Sequence, residues 1–102
     1  MLLKNGYVYI LTNRKRTVLY TGVTSDLIRR VTQHREKKYP KSFTARYNVH
    51  ILLHYEFFPY ILEAIQREHY IKGKLRQYKV DLINSSNPQW RDLFEQAKDE
   101  CY

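Results

Sequence analysis

Four side chains in the first third of the chain carry groups that can act together on a charged ester. They are the phenols of Tyr9 and Tyr20, the guanidinium of Arg30 and the imidazole of His34. A fifth group, the carboxylate of Glu68, stands well apart from them in sequence. A guanidinium stays charged and can contact two oxygens of one anion. Phenol and imidazole hydrogen-bond and pass protons, and a carboxylate binds a hard cation. Such a set suits a reaction whose transition state gathers negative charge and whose nucleophile must be oriented and deprotonated.

Each residue also has a plainer use. Tyrosines commonly do no more than pack in strands. Glu68 precedes Lys72 by four positions, the favoured order for a helical ion pair of about 0.3 kcal/mol. Arg30 can lay its stem along a core edge, and His34 can sit on a helix surface. What points to a site is the joint arrangement, and that depends on the elements that carry these residues.

Tyr7–Thr12 and Thr17–Gly22 are rich in β-formers, and the polar Asn13-Arg14-Lys15-Arg16 between them fits a four-residue hairpin loop. With Thr12 paired to Thr17, Tyr9 falls directly opposite Tyr20, with Cβ atoms about 5 Å apart. Gly22 closes the strand where a side chain would obstruct close approach. Thr24 or Ser25 can cap the helix that follows, with Asp26 in its first turn. At about 100° per residue, Leu27, Val31 and His34 share a face with Arg30 on its edge, while Arg29 points away.

Residues 35–48 are basic, interleaved with Tyr39, Phe43 and Tyr47 and broken by Pro40, and read as a loop. His50–Phe58 reads as a third, largely buried strand. Pro59 opens a second helix expected to run to about Tyr78, with Ile61, Ala64, Ile65, Ile71 and Leu75 as its apolar stripe. Glu68 and Lys72 project into the middle of that stripe. A carboxylate there is costly unless paired or bound to a cation, and such a break in pattern marks a site. Asp81–Ile83 reads as a short helix, Asn84–Pro88 as a turn and Trp90–Lys98 as a last helix. The fold class expected is α/β (α+β): one domain over residues 1–102, with a small, three-stranded, mainly antiparallel sheet flanked by helices.

Composition sets the class of partner. The 102 residues carry a net charge of +8, and ten are tyrosines. Residues 1–55 hold eleven Lys/Arg against two acidic residues, whereas residues 56–102 hold seven against eight. One half is thus a cationic surface, for which nucleic acid is the foremost polyanion and anionic lipid the second. The single cysteine, Cys101, leaves no internal disulfide and no cysteine-rich zinc site. The N-terminal residues lack a signal-peptide h-region, and no apolar run approaches the roughly 20 residues of a membrane span. A soluble, cytoplasmic protein is expected, with no membrane partner.

Tyr7-Val8-Tyr9, ten intervening residues, Tyr20-Thr21-Gly22, Arg30, His34 and Glu68 together resemble the GIY-YIG nuclease family. The stretch Glu63-Ala64 through Arg67-Glu68 to Ile71-Lys72, with Leu82-Ile83, Asn87-Pro88 and Trp90, resembles its small stand-alone bacterial branch. The family includes the incision domain of an excision-repair subunit, homing endonucleases and some restriction enzymes. Tyr7 replaces the first glycine of the motif, a common variation.

The resemblance implies a GIY-YIG-type fold and an endonuclease that hydrolyses phosphodiester bonds in DNA with a divalent metal, magnesium or manganese. It casts Glu68 as metal ligand and Arg30 as holder of the scissile phosphate. Tyr9 and Tyr20 would line the site, one of them deprotonating or orienting water, and His34 would hydrogen-bond a phenol. Lys15, Arg16, Arg35, Lys37, Lys38, Lys41, Arg46, Lys72 and Asn87 are the candidate nucleic-acid contacts. With no room for a separate DNA-binding domain, low sequence specificity or a protein partner that supplies specificity is expected, in DNA repair or recombination. Two other readings stand beside it: a weak or inactive nucleic-acid-binding module of the same fold, and a tyrosine-rich interaction domain.

Overall fold

The computed structural model describes residues 4–100, and Cys101 lies outside them. Three strands, β1 (Gly6–Thr12), β2 (Leu19–Thr24) and β3 (Ile51–Phe58), form one antiparallel sheet in the order β2-β1-β3. Helix α1 (Leu27–Arg35) and the short α2 (Phe43–Arg46) join β2 to β3. Helices α3 (Ile61–Lys72), α4 (Arg76–Ser86) and α5 (Phe94–Glu100) follow. The small antiparallel sheet flanked by helices is the fold class the sequence predicts.

β1 is central, and Val8, Tyr9, Ile10 and Leu11 are all buried, which explains its unbroken apolar run. Alternation sends Tyr9 and Leu11 to one face, where they pack with Leu27 and Val31 of α1, Leu52 of β3, and Leu93 and Ala97. Val8 and Ile10 face the other way, toward Ala64 and Ile71 of α3 and Ile83 of α4. Each such aliphatic side chain contributes about 1.5–3 kcal/mol by leaving water. At Gly6 a Cβ would come within 2.6 Å of Ile61 Cδ1 and 2.8 Å of Ala64 Cβ, so the bare backbone lets α3 lie close against β1.

The hairpin register differs from expectation. Tyr9 stands opposite Gly22, and Tyr20 opposite Leu11. The connection spans residues 13–18, two residues longer than predicted, because Asn13 holds it together. Its Oδ1 accepts from the backbone N–H of Thr17 (2.9 Å) and Val18 (3.2 Å), and its Nδ2 donates to Thr17 Oγ1 at 2.7 Å. Arg16 turns the loop with φ of 61°. A slip of two residues keeps every side chain on its face, so Tyr9 and Tyr20 remain neighbours, now on a diagonal.

Other boundaries also move. Asp26, and not Thr24 or Ser25, caps α1, its Oδ1 accepting from Arg29 N–H at 3.1 Å. Ser42 caps α2 inside the segment expected to be loop. α3 stops at Lys72 instead of continuing to Tyr78. Gly73, a poor helix former, follows it, and Leu75 is extended and 85% exposed, so Leu75 is no part of the apolar stripe. The short helix expected at Asp81–Ile83 is the middle of the eleven-residue α4. Trp90, expected in the last helix, has φ of 56° in the turn before α5 and donates its indole N–H to Asn84 Oδ1.

Candidate active site

Tyr9 leaves the central strand on the α1 face, opposite Gly22. A Cβ on Gly22 would overlap Cζ and the hydroxyl of Tyr9, so the glycine is the gap through which this phenol crosses the edge strand. Its hydroxyl meets His34 Nε2 at 3.0 Å, and His34 Nδ1 meets Thr44 Oγ1 of α2 at 2.8 Å. All three residues are buried, so the chain Thr44–His34–Tyr9 runs beneath the surface. The half-buried Tyr20 ring closes the group, with centroids 5.7 Å from His34 and 6.4 Å from Tyr9.

The helix wheel of α1 holds. Leu27, Val31 and His34 are the buried residues of that helix, Arg29 is exposed, and Arg30 lies on the boundary. Arg30 Nη1 donates to Gln33 Oε1 at 3.0 Å, and the guanidinium charge is felt at the Tyr9 hydroxyl. Glu68 arrives from α3, on the other side of the sheet, at the same edge. It is only 7% exposed, and its charge is felt at Tyr9. Lys72 Nζ sits 2.6 Å from Glu68 Oε2 and 6.0 Å from the centroid of Tyr20, tying the two halves together. His69 Nε2 approaches Oε1 at 3.6 Å.

Protonation follows from this packing. Burial, reinforced by the Tyr20 phenol, pushes the Tyr9 hydroxyl up to about 12 against the opposing pull of Arg30, so Tyr9 keeps its proton at neutral pH. Burial, and then the Arg30 charge, lower His34 to about 4, so the imidazole is neutral. A neutral imidazole donates through one nitrogen and accepts through the other. When Nδ1–H donates to Thr44, Nε2 accepts the Tyr9 O–H, and the phenol oxygen is free to accept a hydrogen bond from water.

As a cation ligand, Glu68 is a lone carboxylate. Among the described residues no group of three or more His, Cys, Asp or Glu side chains converges. One carboxylate oxygen donor fits a hard cation that keeps most of its waters and takes phosphate oxygens. It does not fit a soft metal that needs several protein ligands. A concavity of about 240 Å³ opens beside Arg30, lined by Thr24, Ser25, Asp26, Arg29 and Gln33. The larger one, about 430 Å³, lies elsewhere, between His54, Ser86, Asn87 and Arg91.

The remaining sequence candidates divide. Lys72 belongs to the site, and Lys37, Lys38, Lys41 and Arg46 are exposed on the segment next to it. Lys15 is exposed in the hairpin loop, while Arg16 lies 6.0 Å over Trp90 and accepts at its carbonyl from Arg76. Arg35 is engaged structurally, bonded to Asp92 at 2.6 Å and stacked 4.2 Å over Phe94. Asn87 is buried away from the tyrosines. Its Nδ2 donates to the carbonyls of Leu53 and Arg91, and its Oδ1 accepts from Arg91 N–H. Sequence reasoning missed Thr44, whose one signal was Ser42 placed as an N-cap ahead of it.

Comparison with known proteins bears on the same residues. A family model described as the GIY-YIG catalytic domain matches residues 5–81. A UPF0213 protein of Clostridium perfringens is 40% identical over 82 residues, which is 80% of this chain and 86% of that one. A UPF0213 protein of Syntrophus aciditrophicus is 33% identical over 87 residues, 85% of this chain and 98% of its own. The solution NMR structure of a UPF0213 protein from Bacillus halodurans superposes with a TM-score of 0.55 at 30% identity, covering 89% of this chain and 95% of that one. With the motif tyrosines, Gly22, Arg30 and Glu68 drawn to one sheet edge, the chain belongs to the GIY-YIG family of nuclease domains, among its UPF0213 members.

Proposed function

We propose that this protein is a magnesium-dependent endonuclease that hydrolyses phosphodiester bonds in DNA with little sequence preference, in repair or recombination in the cytoplasm. The observation that carries this is Glu68, on a helix across the sheet, near enough for its charge to act on Tyr9 and joined through Lys72 to the Tyr20 ring. A buried carboxylate is costly unless a cation meets it, and Lys72 meets only Oε2, leaving His69 at 3.6 Å as the neighbour of Oε1. Bound at Glu68, magnesium or manganese would neutralise charge on the phosphate as the bond breaks.

The chain's own groups supply the rest. Arg30 holds non-bridging oxygens of the scissile phosphate through its planar fork. The Tyr9 oxygen accepts a hydrogen bond from the attacking water and orients it, while its own O–H is held by His34 Nε2 at 3.0 Å. Thr44 keeps the other nitrogen protonated. Tyr20, with Lys72 Nζ 6.0 Å from its ring centroid, walls one side.

One observation favours the alternative, a catalytically weak nucleic-acid-binding module of the same fold. Lys72 already supplies a cation at Glu68 Oε2. Plasmid nicking decides between the two. The wild type is expected to nick DNA when magnesium or manganese is added and to stop when EDTA is added. Glu68→Ala and Arg30→Ala are each expected to lose at least a hundredfold in rate with unchanged circular dichroism. Equal activity in wild type and Glu68→Ala would trace the nicking to a contaminant and sink the enzyme reading.

A further inference from the structure

Segment 35–48 reads from sequence equally as a solvated basic loop and as a nucleic-acid stacking surface through Tyr39, Phe43 or Tyr47, and in the structure its aromatic residues are not scattered. Phe43 stacks on Tyr20 with centroids 6.2 Å apart at 24°, and Tyr47 follows at 4.8 Å from Phe43. A row of rings therefore leads from the cluster around His34 out over α2. Tyr39, from the same segment, lies with its ring 5.6 Å from the Arg30 guanidinium. These rings remain open to solvent even though they touch one another: Tyr39 is 52% exposed, Phe43 49% and Tyr47 47%. An aromatic group serving the core would be buried.

Charge surrounds the row. Lys37, Lys38, Lys41 and Arg46 are exposed within this segment, and no acidic residue occurs between Glu36 and Glu56. Arg46 also lies 5.8 Å over the ring of Tyr47, leaving a cation beside the outermost ring. Open aromatic faces set in a cationic track bind single strands, because unpaired bases offer π-faces and the backbone offers charge. A paired duplex keeps its base faces inside its own stack and can use only the charge.

We infer that Phe43, Tyr47 and Tyr39 form a stacking platform for unpaired DNA bases flanking the phosphate held at Arg30. The substrate class is then single-stranded DNA, or the unpaired arm of a branched or flapped duplex. The inference rests on the nuclease reading only for what sits at Arg30. The stacking itself needs no catalysis.

The test uses binding, so that it stands apart from cleavage. Full-length Glu68→Gln protein without divalent metal is titrated into a fluorescein-labelled single-stranded DNA of about 16 nucleotides. The duplex and the single-stranded RNA of the same sequence are titrated in parallel, and anisotropy is read at several salt concentrations. The single-stranded DNA is expected to bind about tenfold or more tightly than the duplex. Phe43→Leu and Tyr47→Leu, added to that background, should each weaken single-strand binding about tenfold while preserving the salt slope, since no charge is removed. Phe43→Trp should retain the preference. The half-exposed Tyr47 ring meets the exposed Phe43 and Arg46, so Tyr47→Leu keeps the test valid should Phe43→Leu unfold.

Equal affinity for single strand and duplex, or leucine variants that bind like their parent, overturns the platform. Tighter binding of RNA than of DNA overturns its assignment to DNA. If the wild type cleaves nothing while the binding pattern holds, the nuclease reading falls and the platform stands. If the wild type cuts DNA while the leucine variants bind unchanged, the nuclease reading stands and the platform falls.

Discussion

Thr44 has a single hydroxyl, and the buried imidazole of His34 has one proton to share between two partners. The choice Thr44 makes therefore decides whether Tyr9 donates to His34 or accepts from it. Thr44→Val keeps the shape but removes the oxygen, leaving Nδ1 buried without a partner at a cost of about 1–3 kcal/mol. Thermal denaturation should show that loss. Single-turnover cleavage should show a drop of about tenfold or more in kcat with KM little changed. Thr44→Ser should restore both. Cleavage by the valine variant at the serine variant's rate across pH 5–9 would remove Thr44 from the proton path.

The elements explain why these residues meet. α1 carries both Arg30 and His34, and its orientation is set at its first residue, where Asp26 accepts from Arg29 N–H while Thr24 Oγ1 accepts from Asp26 N–H. Asp26→Ala is expected to cost about 1 kcal/mol in urea denaturation. Because the frayed turn adjoins Arg30, it should also lower cleavage more than a surface change of equal stability cost, such as one on the exposed face of α4. The elements were legible where periodicity was strong: β1, β3, the buried face of α1 and the whole of α3. They were misread where a single side chain overrode the pattern. Asn13 bonding two backbone amides set the hairpin register, and Gly73 followed by an extended Leu75 ended the expected long helix early and left its last turn to α4.

Across the whole molecule, one polar network fastens three elements behind the sheet. Glu56 of β3 is bonded by His54 Nε2 at 2.8 Å and by Arg67 of α3 at 2.8 and 3.1 Å. Arg67 reaches Tyr78 of α4 at 3.1 Å, and His54 Nδ1 meets Ser86 at 3.0 Å. Burial alone would raise Glu56, but the bonds from His54 and Arg67 outweigh it and hold the carboxyl down to about 2. Its folded value lies below its ordinary 4.5, so its stabilisation is present above that pH and is lost as pH falls toward 2. His34 is likewise held below its ordinary 6.5, at about 4, so its penalty for protonation is felt earlier, as pH falls from 6.5 to 4. Each effect is worth at most about 3 kcal/mol. Urea midpoints should therefore decline in two stages on acidification. His34→Gln should flatten the first stage and leave the second. A midpoint constant from pH 7 down to pH 4.5 in the wild type would show that His34 is not held neutral by the fold.

The local chemistry of the chain was sufficient for the class of fold, the cationic half, and the choice of Arg30 over Arg29. Each of these depends on composition or on a short-range period that one element expresses alone. The meeting of Glu68 with the tyrosines could be expected only from resemblance, because it joins α3 on one side of a sheet to a side chain rooted on the other. That junction depends on Gly6 admitting the helix and Gly22 admitting the phenol. Thr44, the spent amide of Asn87 and the stacking of Phe43 on Tyr20 were beyond reach for the same reason. Each is decided by what packs against it from a distant part of the chain, and no local propensity encodes that neighbour.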